Sequence, residues 1–176
     1  MMKETVVFED IGATYETRVA RLHRLFRQQW VRPPLEIVFR FFERPENLGQ
    51  ITPPELGFEL LTPSPVPMHL GALIDYRIRL FGVPVRWTTY IAVYDPPHCF
   101  VDVQLRGPYS FWHHTHRFES VNGGTLITDE VLYLLPCGPL GELVHRVWVK
   151  RQLRYIFDYR QRRLAALFNF GAEKSA

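Results

Sequence analysis

The stretch FWHHTHRFESVNGGTLITDEVLYLL, residues 111–135, decides the fold. It contains two runs rich in aromatic and β-branched residues, Phe111–Val121 and Thr125–Leu135, on either side of Asn122-Gly123-Gly124. Asn-Gly and Gly-Gly supply the positive φ angles that a tight hairpin turn requires. The stretch therefore predicts two antiparallel strands joined by a short turn.

Four further strands are predicted upstream, each bounded by turn residues: Phe58–Leu61, Ala72–Leu80, Pro84–Tyr94 and Cys99–Arg106. The breaks contain Gly or Pro, at 81–84, 95–97 and 107–108. No segment between these strands is long enough to hold a crossover helix, and a parallel pair needs a connection of about a dozen residues or more. The pattern predicts an antiparallel meander.

Downstream, the chain runs from Glu142 to Phe170 without Gly or Pro, which predicts one long helix that stops at Gly171. We expect its apolar side to be formed by Leu140, Leu143, Val144, Val147, Leu153, Ile156, Phe157, Leu164 and Leu167. The same segment is rich in basic residues, which we expect on a solvated outer face: Arg146, Lys150, Arg151, Arg154, Arg160, Arg162 and Arg163.

The N-terminal part is less regular. Residues 22–31 fit a helix or a strand, whereas Pro34 begins a short helix with apolar residues at helical spacing. Pro45 and the Ile51-Thr52-Pro53-Pro54 turn leave room for one more short turn of helix. We expect an extension over residues 1–20, one domain over 21–170 and a tail over 171–176.

Composition predicts one ordinary globular core. The chain has 176 residues, 47% of them hydrophobic and 14% aromatic, with a net charge of +3. Two distant cysteines predict no disulfide, and the lack of a signal-peptide core or an apolar run of about 18 residues predicts a cytoplasmic protein without stable membrane insertion. We expect no nucleic-acid partner. The common nucleophile-elbow, dinucleotide, P-loop and metalloprotease motifs are absent from the sequence.

Alternation along the strands groups polar and aromatic residues on one face. On the strand from Phe111 the set is Trp112, His114, His116 and Phe118; on the preceding strand it is Phe100, Asp102 and Gln104; on the following strand it is Ile127, Asp129, Val131 and Tyr133. Because the opposite set on the central strand is more polar, we expect the Trp112 face to be concave and covered by the long helix. Tyr76 and Trp87 are further candidates for its wall.

His114, His116 and Asp129 match a two-His-one-carboxylate metal site in residue type. A hydrogen-bonded His/Asp pair explains the same residues without a metal, and we predict no structural metal and no cofactor. Asp102 or Asp129 beside a histidine also has the groups for acid-base chemistry.

Four runs of the chain resemble one superfamily: PPLEIVFRFFERPENLGQITP (33–53), GALIDYRIRLFGVPVRW (71–87), YDPPHCFVDVQLRGPYSFWHHTHRF (94–118) and GGTLITDEVLYLLP (123–136). Together with the order of elements, they resemble the START-like, polyketide cyclase-like (SRPBCC) ligand-binding superfamily, in a subgroup related to domains fused to nucleotide-sugar epimerase-like proteins. The resemblance covers about residues 22–168, and its most specific piece is Gly107-Pro108-Tyr109 followed by Trp112, His114 and His116. It implies an α+β helix-grip fold: a curved antiparallel sheet of about seven strands around a long C-terminal helix, with two short helices after the first strand.

The resemblance leaves three hypotheses for function. The first is binding or carriage of a small hydrophobic or aromatic molecule by Tyr76, Trp87, Phe100, Asp102, Gln104, Trp112, His114, His116, Asp129 and Tyr133. The alternative is a cyclase/dehydratase-type enzyme in which Asp102, His114, His116 and Asp129 transfer protons. The third is an interaction module that uses the basic helix, which requires an exposed apolar patch.

Overall fold

The structure is a computed structural model that describes residues 7–13, 20–80 and 82–169. Its strands are β1 (Val7–Ala13), β2 (Ala20–Val31), β3 (Glu59–Leu60), β4 (Leu73–Leu80), β5 (Val83–Asp95), β6 (Cys99–Arg106), β7 (Phe111–Val121) and β8 (Gly124–Leu134). Helix α1 (Leu35–Phe42) and the 3-10 segments Pro45–Ile51 and Pro54–Leu56 follow β2. Helix α2 (Gly138–Val144), a π-helical segment (His145–Val149) and α3 (Lys150–Asn169) run on without a break and together form the C-terminal helix.

All strands belong to one antiparallel sheet in the order β1-β2-β8-β7-β6-β5-β4-β3. The predicted helix-grip fold is confirmed, with the ambiguous segment 22–31 in a strand. The sheet has eight strands because residues 7–13, within the predicted extension, pair with β2. Gly171 and the rest of the predicted tail lie outside the described residues.

The hairpin between β7 and β8 has the turn that its sequence predicts. Asn122 and Gly123 have φ angles of 50° and 74°, and Val121 pairs with Gly124. The Trp30 indole packs against Gly124 so closely that a Cβ there would lie 2.5 Å from a ring carbon, and its Nε1 donates a hydrogen bond of 2.8 Å to the Val121 carbonyl. This contact ties the hairpin to β2.

Two irregularities bend β5, between Thr88 and Thr89 and between Ile91 and Val93. Bulges of this kind bend a strand and increase its twist. The second one also changes which side chains face inward: Ile91 is buried before it, and after it Tyr94 packs against Phe39 of α1. The bends contribute to a concave sheet face.

The C-terminal helix covers that face, but the predicted apolar stripe is wrong in its first two turns. The inward positions there are Gly141, His145 and Val149. The predicted positions are instead exposed: Leu140 by 63%, Leu143 by 58%, Val144 by 43% and Val147 by 65%. Leu140 and Val144 still reach the cavity wall. The buried positions of these two turns are a glycine and a histidine, which a pattern of apolar residues does not detect.

Two groups of buried residues flank the space between sheet and helix. One, below α1, is centred on Phe39, Phe118 and Leu164. The other, below the middle of the C-terminal helix, is centred on Trp112, Tyr133 and Leu153. Among the described residues, no helix has the length and hydropathy needed to cross a membrane.

Candidate functional site

A cavity of about 480 Å³ lies between the concave sheet face and the C-terminal helix. Most of its wall is apolar, with contributions from β4, β5, β6, β7, the two 3-10 segments and the helix. Representative wall residues are Ile74, Ile78, Trp87, Phe100, Trp112 and Phe157. A space of this size and polarity is typical of sites for small organic molecules.

Two histidines and two aspartates form a closed square at one side of this cavity. Asp102 Oδ2 lies 3.4 Å from His114 Nδ1 and 2.9 Å from His116 Nε2. Asp129 Oδ1 lies 2.8 Å from His114 Nε2 and 2.9 Å from His116 Nδ1. The last contact is short but poorly aligned for a hydrogen bond, so His116 Nδ1 has no well-formed one. Each carboxylate thus contacts both imidazoles, and the rings lie 3.7 Å apart.

The strand register produces this square. Asp102 of β6 pairs with His114 of β7, and His116 of β7 pairs with Asp129 of β8. Since side chains two apart share a face, both cross-strand pairs point to the concave side. Asp102, His114 and His116 line the cavity, and Asp129 lies behind the histidines.

Arg160 completes the cluster, contrary to the prediction that it lies on a solvated face. Its side chain is only 11% exposed, its Nη1 lies 3.5 Å from Asp129 Oδ1, and its guanidinium sits 4.9 Å from the centre of the Phe157 ring. It also lines the cavity. Its spacing from Phe157 and Leu164 by three and four residues was the signal that it shares their inward face.

Behind the square, Arg27 of β2 is paired separately. Its Nη2 lies 2.6 Å from Asp158 Oδ1, and Nη1 donates to the Gln161 side chain. Arg27 also pairs in register with Asp129, so it adds positive charge near that carboxylate.

The four titratable groups have shifted pKa values. Burial raises the pKa of Asp129, but the hydrogen bond from His114, the close contact with His116 and the charge of Arg160 outweigh it and hold the pKa well below its usual value. Burial opposes a low pKa at Asp102 too, where the charges and hydrogen bonding of the two histidines outweigh it.

The neighbouring histidines shift in opposite directions. Burial and the charge of His116 lower the pKa of His114 more than the two carboxylates raise it. Burial also lowers the pKa of His116, but its contacts with Asp102 and Asp129 outweigh burial and raise it. The shifts therefore favour proton binding at His116 over proton binding at His114.

The structure brings most of the predicted site residues to the cavity wall: Tyr76, Trp87, Phe100, Asp102, Trp112, His114 and His116. The predicted residues Gln104, Asp129 and Tyr133 do not line it. Gln104 fixes a loop, since its side chain donates to the Tyr109 carbonyl at 2.7 Å and accepts from the Tyr109 amide at 3.3 Å. Tyr133 is fully buried, and its hydroxyl lies 2.9 Å from His145 Nε2.

Several aromatic wall residues were missed, among them Tyr109 and Trp148. Tyr109 and Trp148 both line the cavity, and the Tyr109 ring lies 4.8 Å from that of Trp112. Tyr109 belongs to Gly107-Pro108-Tyr109, part of the most specific piece of the resemblance, and this position in the sequence was the signal that could have identified it as a site residue. Trp148 lies in the π-helical segment, whose wider turns a regular helical pattern does not predict.

Among the residues that the structure describes, two sets of donor atoms have the residue types of a metal site: Asp102, His114 and His116, and separately His23, Glu142 and His145. Within each set the atoms lie within 4.8 Å of one another. In the second set, His23 Nε2 lies 3.1 Å from Glu142 Oε1, and the His23 and His145 rings stack at 3.6 Å. Both sets also pair internally, and the absence of a structural metal remains a prediction.

Replacing His114 or His116 by glutamine is expected to change stability with opposite pH dependence. The raised pKa of His116 gives a contribution that is full below the ordinary value of 6.5 and is lost as pH rises through the folded pKa. The lowered pKa of His114 gives one that is present above 6.5 and lost as pH falls through the folded pKa. In urea unfolding, His116→Gln should therefore cost more at about pH 5 than at about pH 8, and His114→Gln the reverse. Parallel profiles for the two variants would contradict these assignments.

Comparison with known proteins extends the description of the fold. No protein-family model matches the sequence. No curated protein matches it either. Solved structures do match: protein CV1439 from Chromobacterium violaceum has a TM-score of 0.64 at 15% identity over 82% of this chain and 96% of that one.

Two further solved structures that match the chain are of named proteins. Major latex-like protein 151 from Panax ginseng has a TM-score of 0.58 at 13% identity, covering 84% of this chain and 97% of that one. Ara h 8.0201 has a TM-score of 0.56 at 15% identity, covering 82% and 99%. These likenesses show the fold alone, and the chain is a helix-grip protein by fold.

Proposed function

We propose that the chain binds and carries a small hydrophobic or aromatic molecule in the cavity between sheet and C-terminal helix. The observation that carries this proposal is the combination of about 480 Å³ of mostly apolar space with one compact polar cluster in its wall. An apolar wall favours an apolar body, whereas a few fixed polar groups orient it. Asp102, His114 and His116 are the orienting groups, because all three face the cavity.

The charges of the cluster favour a ligand with a neutral polar group. Two carboxylates are balanced by Arg160 and, below its raised pKa, by His116. An added ion would upset that balance in a poorly solvated place. A hydroxyl or carbonyl group would instead exchange hydrogen bonds with the imidazoles. The Trp87 Nε1 is a further donor, since it is buried and finds no acceptor among the described residues.

One observation favours a second candidate, a proton-transferring enzyme of the cyclase/dehydratase kind. His114 and His116 face the same cavity with pKa values shifted in opposite directions. Neighbouring titratable groups whose pKa values are shifted in opposite directions are the usual arrangement for a catalytic base and acid. In that case His114 would accept a proton and His116 would donate one. Native mass spectrometry of gently purified protein separates the two: a retained apolar compound supports the carrier, whereas an empty protein that turns over a polyketide-like substrate supports the enzyme.

Filling the cavity tests the binding proposal directly. Ile78→Trp places a larger side chain in the wall and is expected to weaken binding of N-phenyl-naphthylamine by about tenfold or more, because the indole occupies probe space. Since the added atoms enter empty space, the free energy of unfolding should change by less than the roughly 1–3 kcal/mol typical of overpacking a filled core. Fluorescence titration measures the affinity.

Val93→Trp is the matched control. Val93 lies on β5, the strand next to the one that carries Ile78, but it is 43% exposed and does not line the cavity. It should leave probe affinity unchanged. Equal affinity in the wild type and Ile78→Trp would remove the cavity as the binding site.

A further inference from the structure

The start of the C-terminal helix carries an apolar face that nothing in the described chain covers. Leu140, Leu143, Val144 and Val147 are 43–65% exposed. Their spacing of three, four and seven residues places them on one side of the helix. A contiguous exposed apolar face of this kind marks an interaction surface more often than scattered exposed residues do. We call these four residues the apolar face.

The apolar face continues into the cavity. Leu140 and Val144 belong both to this face and to the cavity wall. Leu80, at the end of β4, lines the same cavity, and Val83 at the start of β5 is 61% exposed. The cavity wall is therefore apolar at the end of β4 and at the start of the C-terminal helix.

On the helix itself, the exposed charged residues beside the apolar face are basic. Arg146 lies beside Val147, and Arg151 and Arg154 follow Val147 by four and seven residues, all three exposed. The one acidic residue between 138 and 157 is Glu142, which turns inward to His23 at 3.1 Å. A partner must accept leucine and valine side chains and supply negative charge next to them.

We propose that the apolar face docks on an anionic phospholipid bilayer, with Leu140, Leu143 and Val147 among the lipid headgroups and the arginines at their phosphates. Apolar side chains flanked by basic ones are the pattern of helices that lie in the membrane interface. A second copy of the chain fits less well, because a symmetric contact would bring two sets of arginines together. Docking would place the opening of the cavity at the membrane, where an apolar ligand could pass between the two. This transfer rests on the proposed function, whereas docking itself does not.

The test is co-sedimentation with vesicles of phosphatidylcholine, with and without phosphatidylserine. We expect binding to the phosphatidylserine vesicles that weakens as salt is added, and little binding to phosphatidylcholine alone. The double variant Leu143→Gln/Val147→Gln should lose about tenfold or more of this binding, since each side chain gives up apolar burial in the interface. Arg151→Glu should weaken binding only to the anionic vesicles.

The matched control is Leu70→Gln/Leu105→Gln, which removes two leucines that are 62% and 61% exposed outside the apolar face. It should bind vesicles as the wild type does. Equal losses in the two double variants, or no loss in either, would overturn the proposal. So would a dimer on gel filtration that Leu143→Gln/Val147→Gln abolishes, which would make this face a contact between two copies.

Probe binding separates this inference from the proposed function. Neither Leu143 nor Val147 lines the cavity, so the double variant should bind N-phenyl-naphthylamine as the wild type does. If the wild-type protein binds vesicles but no probe, the docking proposal is supported and the proposed carrier function is contradicted. Probe uptake without vesicle binding would do the opposite.

Discussion

Asp129→Leu is expected to lower the free energy of unfolding by about 3–5 kcal/mol, the cost of leaving buried charges without a partner. Asp129 is 5% exposed and contacts His114 and His116, with Arg160 Nη1 3.5 Å away. Without it, the Arg160 guanidinium and the two imidazoles remain in a poorly solvated place beside a single carboxylate, Asp102. Guanidinium unfolding near neutral pH, followed by tryptophan fluorescence, measures the loss.

Glu130→Leu is the matched control, since it changes the next residue of the same strand to the same side chain. Glu130 lies on the other face of the sheet, where it bonds Arg24 at 2.7 Å and contacts Arg117 at 3.4 Å. These pairs are partly exposed, and such pairs contribute about 0–1 kcal/mol. Asp129→Asn, which keeps size and one acceptor, should fall between the two leucine variants. Equal losses at positions 129 and 130 would mean that the buried square contributes no more than a surface pair.

His114→Leu is expected to weaken the binding of naphthol by about 5- to 100-fold and to leave the binding of naphthalene nearly unchanged. The two compounds share an apolar body and differ in one hydroxyl. Leucine keeps most of the volume of His114 but removes the polar atoms that face the cavity, and a lost buried partner costs about 1–3 kcal/mol. Calorimetric titration of the two compounds into each variant gives the ratio of affinities.

Arg117→Leu controls for the orientation of β7. Arg117 is 52% exposed on the opposite face of the strand, so its replacement should change neither affinity. If Arg117→Leu lost naphthol binding and His114→Leu kept it, the binding site would lie on the opposite face of the sheet from His114. Because His114 also bonds Asp129 at 2.8 Å, unfolding of each variant is measured alongside, and affinities are compared where both are folded.

The antiparallel sheet could be predicted because its information is local. Asn122 and Gly123 form the turn that their conformational freedom favours, and cis Pro96-Pro97 lies in the break between β5 and β6. The predicted bounds of Cys99–Arg106 and Phe111–Val121 are those of β6 and β7. Alternation then indicated which side chains of β7 share a face with Asp102.

The helix side of the site could not be predicted in the same way. Arg160 was assigned to solvent because an arginine on a helix usually lies there, and its carboxylate partner is more than thirty residues away in sequence. Similarly, His145 lies inward because His23 and Tyr133 of the sheet receive its ring. Such positions depend on contacts between distant parts of the chain, which the spacing of apolar residues does not reveal.

The arrangement of charges in the square and at Arg160 determines how far the electric field of the cavity extends outside it. The negative charges of Asp102 and Asp129 are offset by positive charge in contact with them, on His116 below its raised pKa and on Arg160, so the electric field of this cluster falls steeply with distance. The long-range potential of this part of the protein comes instead from Arg146, Arg151 and Arg154 on the outer helix. The rate of encounter with an anionic vesicle should therefore depend on ionic strength through the outer surface, whereas the affinity of the cavity for a neutral ligand should not.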